Sequence, residues 1–399
     1  MRFGFKLIYL LIFALPALLS AQVADGQIRD ITGTVARDLL SIRVESDQPE
    51  LKNYIERAFT LHGAFELVSS GRPHFVFRFE AISEQALDLV IVSSGKELLR
   101  QRFAGDDLFA AAASAADTAV LRTTNRPGFF SGRVAFISTT SGHAEVYVAD
   151  LLMRARLQLT RHGADSLLPA ISPSGDQLLY TSYYRNGFPD MYSVNMSSKK
   201  LSLFSGFRGT NTGATFSPNG QQVALVISID GNAELFTSSK NGDQWQRLTR
   251  TTALEADPSW SPDGRQLTFA SDELGRPQIF VANADGTSRR RLPTNVSRNC
   301  SEPTWNPRDA KQIAFTAAVG REFEICLYEM GASAAKILTR GRGDAVEPVW
   351  LSDGRHLLYT QRSKGRSRLA ILDTLTGSQE VLSPEVWGDC SMADFAAMK

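Results

Sequence analysis

Apolar residues recur along the second two-thirds of the chain in short runs at a nearly constant interval. The runs begin at Val134, Leu178, Val223, Leu267, Ile313 and Leu357, spaced 44, 45, 44, 46 and 44 residues apart. Each is too short for a helix and ends in polar residues, the pattern of a buried strand. A turn signature precedes five of the six: Ser172-Pro173-Ser174-Gly175, Ser217-Pro218-Asn219-Gly220, Ser261-Pro262-Asp263-Gly264, Asn306-Pro307-Arg308-Asp309 and Leu351-Ser352-Asp353-Gly354. Pro fixes one backbone dihedral, and Asn or Asp followed by Gly tolerates the left-handed conformation of a tight hairpin. A second apolar strand follows each run, as at Glu145–Val148 and Gln278–Val281, and a third closes the unit near Leu159-Thr160, Leu248-Thr249 or Leu338-Thr339. With the strand ahead of each turn, such as Ser259-Trp260-Ser261, every repeat holds four strands in the length of a propeller blade.

The ends of the array predict how it closes. The first repeat has nothing like Asp257-Pro258-Ser259-Trp260 before Gly132, whereas Asp389 to Phe395 matches that stretch. The expected architecture is therefore a six-bladed β-propeller over residues 128–399, with four-stranded blades. Its last strand completes the first blade and removes the open edges of a linear array. Residues 22–127 have a different pattern and predict a small α/β domain with a linker. Leu40 to Val44 and Phe65 to Val68 read as strands, Pro49 to Thr60 as an amphipathic helix, and His74 to Phe79 with Leu87 to Val92 as paired strands. Asp106 to Leu121 is Ala-rich and predicts a second helix capped by Asp106.

Residues 1–21 carry Arg2 and Lys6, an apolar run from Leu7 to Leu15, and small residues at Leu19-Ser20-Ala21. This is the pattern of a secretory signal peptide, and the apolar run is too short to span a bilayer. The mature chain is expected to have no transmembrane segment. Charge adds little: 43 Lys and Arg face 42 Asp and Glu, and loss of the leader leaves 41 against 42. Such balance argues against a nucleic-acid partner. Three cysteines, Cys300, Cys326 and Cys390, cannot all pair within one chain. Cys300 and Cys326 flank one repeat, so they either bridge or sit as small buried hydrophobes.

Candidate chemistry centres on the loops of one propeller face. Asp257, Glu302 and Glu347 fall at one shared position in successive repeats, just ahead of the innermost strands. Tyr184, Arg185, Glu273 and Arg276 occupy companion loops of the same face. These seven form the expected partner-binding surface. The three carboxylates are expected to be exposed, to contribute little to folding, and to meet basic or hydrogen-bond-donating groups on a partner. The five histidines, His62, His74, His143, His162 and His356, have no ligand spacing, and no nucleophile elbow or phosphate loop is present. No cofactor or metal is expected, and no catalytic residue.

Several stretches resemble the TolB family, the periplasmic propellers of the bacterial Tol–Pal system. Phe130-Ser131-Gly132-Arg133-Val134-Ala135-Phe136-Ile137-Ser138 is similar to the family's entry into its first blade, and Ala115 to Val120 to its Ser-Asp-x-Ile segment. Pro258 to Gly264 and Arg276 to Gly286 follow the family's blades. Two features differ: the N-terminal domain is short, and it lacks the usual Gly-Val-Pro-Phe-like first strand. The resemblance implies a monomeric, non-enzymatic adaptor in the periplasm. It would bind the peptidoglycan-associated lipoprotein Pal and support outer-membrane constriction and integrity during cell division. It would also contact TolA through Ala24 to Asp38, which is loosely like the family's TolA-binding tail. Two other classes remain open on the residues alone: an exported propeller-type hydrolase or lyase, and a binding module for an unrelated ligand.

Overall fold

Each Ser-Pro-x-Gly stretch forms a hairpin closed by its own side chains. In three blades the backbone N–H of Gly175, Gly220 and Gly264 donates to the carbonyl of Ser172, Ser217 and Ser261 at 2.8–2.9 Å. The same serine hydroxyls accept from Gln177, Gln222 and Gln266 N–H at 2.9–3.0 Å. A second device explains the recurring Leu-Thr. The Thr339 hydroxyl, at the end of an outermost strand, accepts from Ile325 N–H at 2.9 Å and donates to Glu324 Oε2 at 2.5 Å. Thr160, Thr249 and Ser383 accept from Val146, Leu235 and Leu369 in the same way. The repeat thus carries local hydrogen bonds that satisfy polar groups at the ends of its strands: the turn device in blades 2 to 4 and the Thr or Ser device in blades 1, 3, 5 and 6.

The computed structural model describes residues 39–185, 187–229 and 231–398. The expected leader at 1–21 and the segment Ala24 to Asp38 lie outside the described residues. Six four-stranded antiparallel sheets form the propeller. Their innermost strands are Cys390–Ala396 in blade 1, then Ser166–Ile171, Asn211–Phe216, Glu255–Trp260, Cys300–Trp305 and Asp344–Trp350 in blades 2 to 6. Blade 1 is completed as the sequence predicts: Cys390–Ala396 pairs with Arg133–Ser138, Cys390 opposite Ser138 and Ala396 opposite Arg133. Neighbouring blades are laced by side chains. Asp394 accepts from Ile171 N–H at 2.7 Å, and Trp260 and Trp350 donate to the carbonyls of Thr215 and Thr304 at 3.2 Å. All three cysteines are free and buried, so the bridged alternative for Cys300 and Cys326 is not realised.

A five-stranded sheet precedes the blades, in the order Phe65–Leu67, Leu40–Ser46, Phe75–Ser83, Ala86–Ser93, Lys96–Ala104. The first three run parallel and the last two antiparallel. The last strand escapes the hydrophobic pattern because almost all of Lys96–Ala104 is exposed. Helix α1, Pro49–His62, and helix α2, Leu108–Thr124, cover one face. The N-cap of α2 is Asp107, whose carboxylate accepts from Ala110 N–H at 2.8 Å, rather than the expected Asp106. One hydrophobic core runs from this sheet through Phe129 and Phe130 into blades 1 and 6.

The junction residues weld the two layers. Asp117 of α2 accepts from Phe130 N–H at 2.7 Å and from both the N–H and the hydroxyl of Ser131. Gly132 is obligatory, since a Cβ there would sit 2.0 Å from the Phe395 ring. Arg355, in the turn after the innermost strand of blade 6, pairs with Asp373 at 2.6 Å and donates to Gly63 carbonyl at 2.9 Å.

Ring closure generates the first prediction. Removing residues 390–399 exposes the paired edge of Arg133–Ser138 and the backbone groups that Asp394 and its neighbours satisfy. Each buried group left unpaired costs about 1–3 kcal/mol, against a total stability of about 5–15 kcal/mol. The truncated chain is expected to lose its cooperative melt and become protease-sensitive, as read by circular dichroism and limited trypsin digestion. An unchanged Tm would show that the ring does not depend on this strand.

Candidate functional site

All six innermost strands carry the same irregularity. In each, two residues on the inner strand oppose one on its neighbour, as where Asp257 and Pro258 oppose Phe269 between the Ala256–Ala270 and Ser259–Thr268 pairs. The equivalent shifts occur after Leu167, Thr212, Ser301, Val346 and Ser391. This is a β-bulge, one extra residue that re-aims a side chain. The bulged residues are Leu168, Gly213, Asp257, Glu302, Glu347 and Met392, all with φ between 52° and 64°. Pro169, Pro258, Pro303 and Pro348 follow in four blades. A proline lacks the N–H that a regular ladder would need, so it fits where the bulge interrupts pairing.

The bulge moves three of the expected site residues. Asp257, Glu302 and Glu347 lie inside the innermost strands, not in exposed loops ahead of them. They line the central channel and bind the next blade. Asp257 accepts from Glu302 N–H at 3.3 Å, Glu302 from Glu347 N–H at 2.8 Å, and Glu347 from Met392 N–H at 2.9 Å. Thr316 donates to Glu302 and Thr360 to Glu347, both at 2.6 Å, and Arg362 pairs with Glu347 at 2.5 Å. The expectation that these charges are indifferent to folding is therefore corrected: they form part of the wall that joins blades 4, 5, 6 and 1. A lysine at any of them would place an ammonium among groups already arranged to donate.

Burial pushes Asp257 up to about 6, and the Glu347 charge adds to it. Glu302 rises to about 8, first through burial and then through the facing charges of Glu347 and Asp257. Like charges gathered in a poorly solvated site resist ionising together. Among the described residues, no group of three or more His, Cys, Asp or Glu is arranged to hold a metal ion.

The other four expected residues do share one surface. Since adjacent strands are antiparallel, the loops between blades and the loops between second and third strands open on the same side. Tyr184 lies there, 41% exposed and stacked on His162 with ring centroids 4.1 Å apart. Arg185 and Arg276 are exposed in the corresponding loops of blades 2 and 4. Glu273 is exposed but held by Arg289, which also pairs with the buried Glu255 at 2.9 Å. The α/β domain covers the opposite side, through contacts such as the Arg355 guanidinium donating to the Gly63 carbonyl at 2.9 Å.

The loop face also carries residues that the sequence reading passed over. Phe188, Phe207, Ile229, Leu254, Leu274 and Val386 are large apolar side chains 37–82% exposed on it, together with Tyr184. Leu375 is the exposed large hydrophobe found in a turn of the opposite propeller face among the described residues. Phe188, Ile229 and Leu274 all fall in the loops after the second strand, a recurrence visible only once those loops are located.

Comparison with known proteins matches this architecture. The family model for the TolB beta propeller domain covers residues 120–393. This chain belongs to the TolB β-propeller family. It is 30% identical over 202 residues to a protein TolB homolog from Chlorobium luteolum, covering 49% of this chain and 44% of that one. A protein TolB homolog from Chlorobium chlorochromatii is 30% identical over 185 residues, covering 45% and 41%. The chain thus spans less than half the length of these curated relatives. The crystal structure of TolB from Acinetobacter baumannii superposes with a TM-score of 0.79 over 90% of this chain and 96% of that one, at 21% identity, which supports the fold. Among the described residues, no helix is long and apolar enough to cross a membrane.

The raised carboxylates generate the second prediction. A carboxyl whose folded pKa lies above its unfolded value binds more protons in the native state, so stability falls as pH rises between the two. For Glu302 that window runs from 4.5 to about 8. Glu302→Gln keeps an acceptor for Glu347 N–H and Thr316 but cannot ionise. Its Tm is expected to fall less than the wild type's across the window and to exceed it at the upper end. Identical Tm–pH profiles for the two proteins would contradict the burial argument.

Proposed function

We propose that this TolB-family chain is a non-enzymatic periplasmic adaptor of the Tol–Pal system, and that it docks Pal on the propeller face opposite the α/β domain. The observation that carries the reading is that, among the propeller's loops, exposed large apolar side chains gather on one face. Seven large hydrophobes project from the loops of that face, on blades whose cores are otherwise satisfied. Exposed apolar tips on a rigid ring are the usual anchors of a protein interface, where a few buried contacts dominate affinity. Tyr184, Arg185, Glu273 and Arg276 supply the polar rim. Asp257, Glu302 and Glu347 act on docking from the channel wall, by holding the inner ends of blades 4 to 6 in place. In this reading the adaptor supports outer-membrane constriction and integrity during division, and Ala24 to Asp38 engages TolA.

Titration calorimetry with purified Pal tests the proposal. Leu274→Asp combined with Val386→Asp is expected to weaken Pal binding at least about tenfold, or about 1.4 kcal/mol. The Tm of this variant should be nearly unchanged, because both side chains are exposed, at 60% and 82%. Undiminished affinity in the folded variant would remove the face from the proposal. A wild-type chain that does not bind Pal would overturn the adaptor reading itself.

A further inference from the structure

A depression of about 670 Å³ lies on the loop face at blade 4, lined by Leu274, Arg276, Gln278, Arg291, Val296 and Arg298 among others. Three of its walls end in guanidinium groups, and Arg276, Arg291 and Arg298 are all exposed. None of the three forms an ion pair with a carboxylate among the described residues. Arg291 reaches only the Asn295 amide oxygen, at 3.5 Å. Their neighbour Arg289 shows the contrast, since it is neutralised by Glu255 and Glu273. Glu273, in the same loop as Arg276, is thereby already committed. Three like charges held around one concavity without a counter-charge repel one another, and an anion entering the concavity relieves that cost.

Over the rest of the face cations outnumber the exposed acids, which include Asp165, Glu273 and Glu385. Arg161, Arg185, Arg208, Arg250, Arg321 and Arg340 are exposed in its loops, while the channel carboxylates are turned inward and committed to backbone donors. The partner chemistry expected from sequence, basic groups meeting Asp257, Glu302 and Glu347, is therefore reversed by the structure. Guanidinium groups recognise carboxylates through two parallel hydrogen bonds. Leu274 and Val296 place apolar surface beside those charges, which suits a polypeptide with mixed side chains better than a uniformly polar glycan.

We infer that this arginine-lined depression binds an acidic segment of a partner protein, with carboxylates on Arg276, Arg291 and Arg298 and an apolar side chain against Leu274 and Val296. The inference deepens the docking reading above, and it rests on that reading for the identity of the face. The test is fluorescence anisotropy of the full chain with a labelled peptide carrying Glu pairs separated by Leu. A peptide with Gln in place of Glu and a sulfated glycan fragment serve as comparisons.

The Glu peptide is expected to bind at least about tenfold more tightly than the Gln peptide, and to weaken with added salt. Arg276→Ala combined with Arg298→Ala should lower its affinity about tenfold with an unchanged Tm. Leu375→Asp, exposed on the opposite propeller face, should leave it unaltered. Equal affinity for both peptides, or no effect of the arginine changes, would overturn the inference. Displacement by the glycan at equal strength would overturn it in favour of a glycan site. No Pal is present in this assay, so failure here leaves Pal docking to be decided by calorimetry.

Discussion

The pairing of Cys390–Ala396 with Arg133–Ser138 is the contact on which the rest of the molecule depends. It joins segments separated by most of the chain and converts an open row of blades into a ring. A linear array would leave two sheet edges with unpaired N–H and C=O groups, and each such group is costly when buried. Closure also places Asp394 beside Ile171 and Phe395 against Gly132, so the first two blades and the entry from the α/β domain share one hydrogen-bonded, close-packed corner. The hydrophobic core that unites the α/β domain with blades 1 and 6 contains Trp387 and Cys390, and so is built partly from the closing segment.

Within the ring, a small backbone irregularity repeated six times decides where charge can sit. The bulged residue re-aims its side chain towards the channel wherever it has one, and in blades 5, 6 and 1 its own N–H, left without a ladder partner, meets the carboxylate of the preceding blade. From blade 4 to blade 1 this produces a relay in which each acid satisfies a donor that the bulge has left without a ladder partner. The arrangement stabilises the ring through hydrogen bonds while leaving carboxyl groups reluctant to ionise, as Glu302 shows. Leu168 and Gly213 occupy the same position in blades 2 and 3, so the acidic sector is confined to half of the channel.

The two faces of the propeller then acquire different characters. One is covered in part by the α/β domain, whose contacts include the Arg355 bridge to Asp373 and Gly63 and the His62 ring stacked on Phe129 at 5.4 Å. The other is free of that domain and collects arginines and exposed apolar tips. A near-neutral chain can therefore present a strongly basic surface, because its acids are drawn into ion pairs and the channel wall.

Blade number, turn chemistry and closure were all legible in the amino-acid order, because they rest on local rules: strand length, Pro and Gly dihedrals, and a repeat missing at one end and present at the other. Most of the α/β domain was legible for the same reason, except Lys96–Ala104, a largely exposed strand whose few apolar residues, Leu98, Leu99 and Phe103, are scattered among charged and polar ones. The site was legible only in part. Asp257, Glu302 and Glu347 could be recognised as equivalent, and Tyr184, Arg185, Glu273 and Arg276 as residents of one face. Whether a carboxylate points to solvent or into a channel depends on a one-residue register shift, set by pairing with a neighbouring strand. Likewise, an unpaired arginine differs from a paired one only by what folds beside it. Periodicity along the chain determined the ring; only tertiary packing decided which charges the ring would show.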